Sequence, residues 1–182
     1  MGQGTEEADW GAALAGDGEA FGRIFDRHRD RVRRHGHRLV PTPADVDDLV
    51  AMTFFEAWRL RSRVRVVDGS ILPWLLVTAS NVARNQQRSA RRYRTLLERL
   101  PAGEPAPDPA TVIDEVGVAA RFDRLPLADR QVLLLCVVEG YSERDAASVL
   151  GVRPGTVKSR LSRARRRAAD LLAPEVEHDR VP

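Results

Sequence analysis

The chain has 182 residues, with 29 Lys+Arg against 26 Asp+Glu, a formal net charge of +3 and one cysteine. This length fits one domain or two small ones, no apolar run approaches the roughly 20 residues needed to cross a bilayer, and the opening MGQGTEEADW lacks a basic and apolar leader. The expectation is a soluble, cytoplasmic protein with no disulfide, no cysteine-based zinc site and no cofactor, in which Cys136 of LLLCVVEG is a small core residue.

Charge is placed unevenly. Residues 1–20 carry five acids and no base, whereas residues 84–99 carry six arginines and one acid. Basic patches point to a polyanionic partner such as nucleic acid. Lys158 is the only lysine, so the position of the arginines carries more information than their identity.

In chain order, GEAFGRIFDRHRDRVRRHGHRLV places Phe21, Ile24, Phe25, His28, Val32, His35 and Leu39 on one helical stripe. A second helix repeats the pattern through Val46, Leu49, Val50, Phe54, Ala57 and Trp58. Near its start lie Asp45, Asp47 and Asp48, where the helix dipole stabilises negative charge. Two readings of that cluster stay open: N-terminal capping, or a salt-bridge surface for a basic partner. The segment RSRVRVVDGSIL reads as a loop, and its Asp68, Gly69 and Ser70 suit either a pocket wall or a tight surface turn. A third helix is predicted over 72–94. It sets Asn81, Arg84, Asn85 and Arg88 at i, i+3, i+4 and i+7, a polar face fit for base-edge and phosphate contacts or for solvent. Trp58 and Trp74 fall at apolar-stripe positions and read as core. His28, His35, His37 and His178 show no metal-ligand spacing.

The segment PAGEPAPDPA, with four prolines and no hydrophobic period, reads as an extended linker. Residues 101–111 would reach at most about 36 to 40 Å. Beyond it, LADRQVLLLCVVEG reads as a helix and YSERDAASVLG as a short one, with Ser142 and Asp145 as a capping box and Gly151 as its stop. Gly155 and Thr156 then open another helix. A short helix, a Gly-containing turn and a second helix make a helix-turn-helix. At 100° per residue, Val157, Leu161, Ala164, Ala168 and Leu171 gather on one side, and Ser159, Ser162, Arg163 and Arg166 on the other. With Pro154, Gly155, Thr156, Lys158 and Arg160 these form the candidate DNA face, since such a helix fits the major groove. A solvated basic face is the alternative. The predicted architecture is all-α: two small helical domains, over 8–100 and 112–173, joined by a Pro-rich linker over 101–111.

The segments DVDDLVAMTFFEAWR, PWLLVTASNVARNQQRSARR and LPLADRQVLLLCVVEGYSERDAASVLGVRPGTVKSRLSRARRR, in this order, resemble regions 2 and 4 of the extracytoplasmic-function sigma factors of bacterial RNA polymerase. The resemblance implies a subunit that binds core polymerase, reads the −10 promoter element with its first domain and reads the −35 element with its second. It implies docking on the clamp helices of the largest polymerase subunit through Asp45, Asp47, Asp48, Leu49, Ala51 and Met52. It also implies capture of an extruded −10 base by the loop holding Asp68, Gly69 and Ser70, and an anti-sigma factor as a possible further partner. The sequence departs from the family pattern: Ala51 and Met52 stand where Gln-Glu is usual, and Asn85 stands where an aspartate is expected. Ser80 also replaces a residue that is often basic.

Two other function classes make different demands on these residues. A stand-alone helix-turn-helix regulator would need no polymerase and would normally dimerise on a palindrome. A nucleic-acid hydrolase would need converging acid/base or metal-binding groups, and Asp45 and Asp47 point to different helix faces.

Overall fold

The computed structural model describes residues 3–97 and 124–172. The chain splits into two compact units, the first built mainly from residues up to Val112 and the second mainly from residues beginning at Ile113. The predicted linker over 101–111 lies outside the described residues. The expected all-helical class holds among the described residues, where the sole β-type pairing is an isolated bridge between Val67 and Ser70.

Among its described residues the first unit contains four α-helices: α1 Gln3–Leu14, α2 Gly18–Gly36, α3 Pro43–Arg59 and α4 Leu72–Leu97, with a 3₁₀ turn at Arg61–Arg63. Local chemistry sets the starts of two of them. Asp17 caps α2 by accepting from the amides of Glu19 and Ala20 at 2.9 and 3.0 Å, and Thr42 caps α3 by accepting from Asp45 N–H at 3.1 Å, with Pro43 in the first helical turn. Helix α2 packs against α1, α3 and α4, and α3 packs against α4. The stripe residues read from the period, Ile24, Val32, Val46, Leu49, Val50, Phe54 and Ala57, are buried together with Ile71, Leu75, Ala79 and Ala83. Around Phe21 the rings of Trp10, Phe54 and Trp58 meet at 5.1 to 6.4 Å in tilted or edge-on contacts. Trp58 and Trp74 are half-buried against this core. Gly36 permits the close approach of α2 to α3: a Cβ there would lie 2.8 Å from Leu49 Cδ2.

Helix α1 leaves little trace in the sequence, because its apolar pattern is weak and its residues are rich in Ala and Gly. It nonetheless buries Trp10, Ala13 and Glu6, so the first unit extends to before residue 8. The two stripe histidines have partners, His28 buried and His35 half-buried. His28 bonds Glu6 at 2.7 Å, and His35 Nε2 bonds Ser80 Oγ at 3.0 Å. Since the Ser80 hydroxyl donates to the Leu76 carbonyl at 3.0 Å, His35 is the donor to Ser80. Burial, with Arg38 adding to it, pushes the His35 imidazole down to about 4, against a weaker upward effect of the Leu76 carbonyl.

The second unit holds α5 Leu127–Leu133, which runs on into a π-helical turn over Leu134–Val138, then α6 Glu143–Leu150 and α7 Pro154–Leu172. Helix α5 packs on α7. Leu125, Val132, Leu133, Leu134, Leu135, Ala146, Ala147, Val149, Val157, Leu161 and Ala164 are buried. The π turn advances the chain out of the 3.6-residue phase. As a result Val137 and Val138 are exposed, and Cys136, expected in the core, is only half-buried. Burial is the main effect raising its thiol pKa.

Candidate nucleic-acid interface

Helix α6 begins at Ser142, whose Oγ accepts from Asp145 N–H at 3.1 Å and also bonds the Asp145 carboxylate. Gly151, at φ 65°, ends it in the left-handed conformation, and Val152 N–H returns to the Ala147 carbonyl at 3.0 Å. Pro154 then opens α7, where its missing N–H costs nothing. The helix-turn-helix read from the spacing is therefore present. Along α7, Val157, Leu161 and Ala164 are buried, while Pro154, Gly155, Lys158, Ser159, Ser162, Arg163 and Arg166 are exposed, and Thr156 and Arg160 are half-buried. Arg163 Nε rests on the Ser159 carbonyl at 3.3 Å. Arg167 differs from its basic neighbours: its guanidinium binds the buried Asp129 carboxylate of α5 at 2.5 Å, so it ties α7 to the unit.

In the first unit, Val67 and Ser70 exchange both backbone hydrogen bonds, at 2.9 and 3.0 Å, around Asp68 and Gly69 with φ 49° and 71°. Two successive positive φ values make a type I′ turn, for which Asp-Gly is a favoured pair. Asp68 is exposed, whereas Gly69 and Ser70 are half-buried. The Ser70 hydroxyl is already engaged, donating to Glu6 at 3.0 Å and accepting from Leu72 N–H at 3.1 Å. The turn leads directly into α4, along which Asn81, Arg84, Asn85 and Arg88 are exposed on one face. Ser80 is buried and bonded to His35, so it lies off that face.

The predicted docking residues on α3 separate by environment. Asp48, Ala51 and Met52 are exposed. Asp47 is exposed and paired with Arg33 at 2.8 Å. Asp45 belongs to the cap, its carboxylate accepting from the Thr42 hydroxyl at 2.6 Å. Leu49 corrects the expectation: it is 0% exposed and lies in the core, because its position on the apolar stripe turns it away from the Asp48 face. Phe55 was missed. At 57% exposure it adjoins Met52, itself 44% exposed, and its offset of i+7 from Asp48, off the buried stripe, was the available signal. The three aspartates do not converge as a metal or acid/base site would require, since one serves a cap and another a surface ion pair.

The family described as Sigma-70 region 2 matches residues 24–93, and that described as Sigma-70, region 4 matches residues 118–167. The ECF RNA polymerase sigma factor SigM of Mycobacterium tuberculosis is 33% identical over 163 residues, covering 88% of this chain and 81% of the relative. The chain belongs to the extracytoplasmic-function sigma factor family. A second relative of this sigma factor, the RNA polymerase sigma factor NccH of Alcaligenes xylosoxydans, is 31% identical over 92% of this chain and 95% of its own length. Among solved structures, CnrH in complex with the cytosolic domain of CnrY aligns at a TM-score of 0.61 and 27% identity, covering 92% of this chain and 97% of CnrH. The sigma factor RpoE in complex with the anti-sigma factor NepR from Bartonella quintana aligns at 0.58 and 26%, covering 84% and 96%. In the sigma factor described here, the turn, α3 and the polar face of α4 lie within the region 2 match, and the basic face of α7 lies within the region 4 match. Helix α1 precedes both.

Proposed function

We infer that this sigma factor binds core RNA polymerase and directs promoter-specific initiation, acting by binding and not by catalysis. One observation carries the reading: a single chain joins a helix-turn-helix whose serines and arginines face outward to a separate unit whose α3 exposes an acid beside apolar side chains. In this reading the −35 element is met by Pro154, Gly155, Thr156, Lys158, Ser159, Arg160, Ser162, Arg163 and Arg166. The −10 element is met by Asn81, Arg84, Asn85 and Arg88, with an extruded base held at Asp68, Gly69 and Ser70. Extrusion costs a few kcal/mol, which contacts in a pocket must offset. Docking on polymerase uses Asp47 and Asp48 with Ala51, Met52 and Phe55. Compared with a face of glutamine and glutamate, Ala51 and Met52 shift the balance of this surface from ionic toward apolar contact.

An anti-sigma partner fits the same reading, supported by the complex in which RpoE is held by NepR. The chain holds no helix among the described residues that is long and apolar enough to cross a membrane, consistent with action on DNA in the cytoplasm. Mixing the purified protein with labelled promoter duplex, with and without core polymerase, tests the function. Specific binding and open-complex formation are expected only with polymerase. Tight palindrome binding by the protein alone would instead support the stand-alone regulator.

A further inference from the structure

Glu6 lies inside the first unit at 5% exposure, on a helix outside both family matches. Its Oε1 accepts three hydrogen bonds: from His28 Nε2 at 2.7 Å, from Ser70 Oγ at 3.0 Å and from Ile71 N–H at 2.9 Å. Burial alone would raise its pKa, but these bonds outweigh burial and hold it below the ordinary carboxylate value, so the group is an ionised acceptor. A pin that merely fastened α1 to α2 would need only the bond to His28. The other two donors belong to the chain leaving the Asp68-Gly69 turn.

The consequences reach the tip of the turn. Val67 and Ile71 are buried on its two flanks, and the tip itself is a closed two-residue turn with little freedom of its own. Ser70 passes the constraint onward, because the hydroxyl that donates to Glu6 accepts from Leu72 N–H at the start of α4. The acceptor on α1 therefore fixes the turn and the beginning of the helix that carries Asn81, Arg84, Asn85 and Arg88 as one body. We propose that Glu6 is a positioning residue for −10 recognition: buried away from DNA, it sets the placement of the turn that receives the extruded base. The proposal rests on the reading that Asp68, Gly69 and Ser70 receive that base.

The test uses holoenzyme assembled from core polymerase and the full chain, transcribing one promoter and two panels of it with single-base changes in the −10 and −35 elements. Four variants are compared with wild type: Glu6→Ala, Glu6→Asp, Glu6→Gln and Asp68→Gly. The last removes the side chain at the tip while glycine keeps the positive φ. Glu6→Ala is expected to lose about tenfold in discrimination at the −10 position read by the turn, within the roughly 5- to 150-fold that one base pair typically carries. Discrimination across the −35 panel should stay at wild type. Glu6→Gln, which keeps an acceptor oxygen in place, should restore most of the loss. Should Glu6→Ala fail to fold, Glu6→Asp carries the test, since it keeps the charge but draws the oxygen back from the turn, and a loss at −10 alone is again expected. Full −10 discrimination by folded Glu6→Ala or Glu6→Asp, beside a loss in Asp68→Gly, would overturn the inference while leaving base capture intact. A uniform drop on both panels would also overturn it, showing only a structural role. Undiminished −10 discrimination by Asp68→Gly would remove the base-capture reading, and the inference with it.

Discussion

His35 joins α2 to α4 beneath the proposed −10 face, and its burial gives the first unit a predictable response to acid. The imidazole is pushed from 6.5 to about 4, chiefly by burial and next by Arg38. The folded pKa lies below the unfolded one, so in the window between them the unfolded chain binds the additional proton. Stability from this group is complete above pH 6.5 and is lost as pH falls toward 4. A shift of that size corresponds to about 3 kcal/mol at most. The ring is not wholly sealed from solvent, so about 2 kcal/mol between pH 7 and pH 4.5 is the expected share. His35→Gln keeps a donor for Ser80 and has no charge to gain, so its stability should fall less over the same range by that amount. Other carboxylates, Glu6 included, weaken both proteins alike in acid and cancel in the comparison. The assay is denaturant unfolding followed by tryptophan fluorescence at a series of pH values. All three tryptophans, Trp10, Trp58 and Trp74, lie in the first unit, so the signal reports that unit alone. Parallel stability curves for wild type and His35→Gln from pH 7 to 4.5 would refute the assignment of a neutral, buried His35.

Replacing Arg163 or Arg166 with Ala should weaken use of −35-containing promoters, by about 1 to 3 kcal/mol of discrimination if the side chain reads a base and by a smaller salt dependence if it holds a phosphate; transcription titrated over salt separates the two. Asp129→Ala releases Arg167 from α5 and should destabilise the second unit by about 1 to 2 kcal/mol, toward the low end of a charge-assisted bond because Arg167 can turn to solvent; thermal unfolding followed by circular dichroism measures it, and an unchanged midpoint for that unit would discount the tie. The double variant Asp47→Lys and Asp48→Lys should place like charges against the basic residues of polymerase at a cost of several kcal/mol and abolish co-purification with the core enzyme. Its fold should change by no more than about 1 kcal/mol, because the Asp47–Arg33 pair is exposed. Holoenzyme formation at wild-type affinity would move the docking contribution onto Met52 and Phe55.

Helical period alone identifies the stripes of α2, α3 and α7, the helix-turn-helix and the polar face of α4, because each depends on residues a few positions apart whose spacing is fixed by the backbone. The same local logic finds Ser142 and Gly151 as start and stop of α6, and reads VVDGS as a loop that suits either a pocket wall or a tight turn. Contacts between distant parts of the chain were not legible. Glu6 reads as one acid in an acidic stretch until α1 packs against α2 and brings it to Ser70 and Ile71, 64 and 65 positions away. Arg167 reads as one of a basic run until the buried carboxylate of Asp129, 38 positions earlier, engages it. Leu49 occupies the apolar stripe and the acidic motif at once, and burial against Gly36 and the core decides between them. Cys136, expected in the core as a small residue of an apolar run, is only half-buried because the π turn shifts its position around the helix. Period and capping act through neighbouring residues and can be read along the chain, whereas burial of a charge becomes favourable only when a partner arrives from another helix, and that is settled by packing.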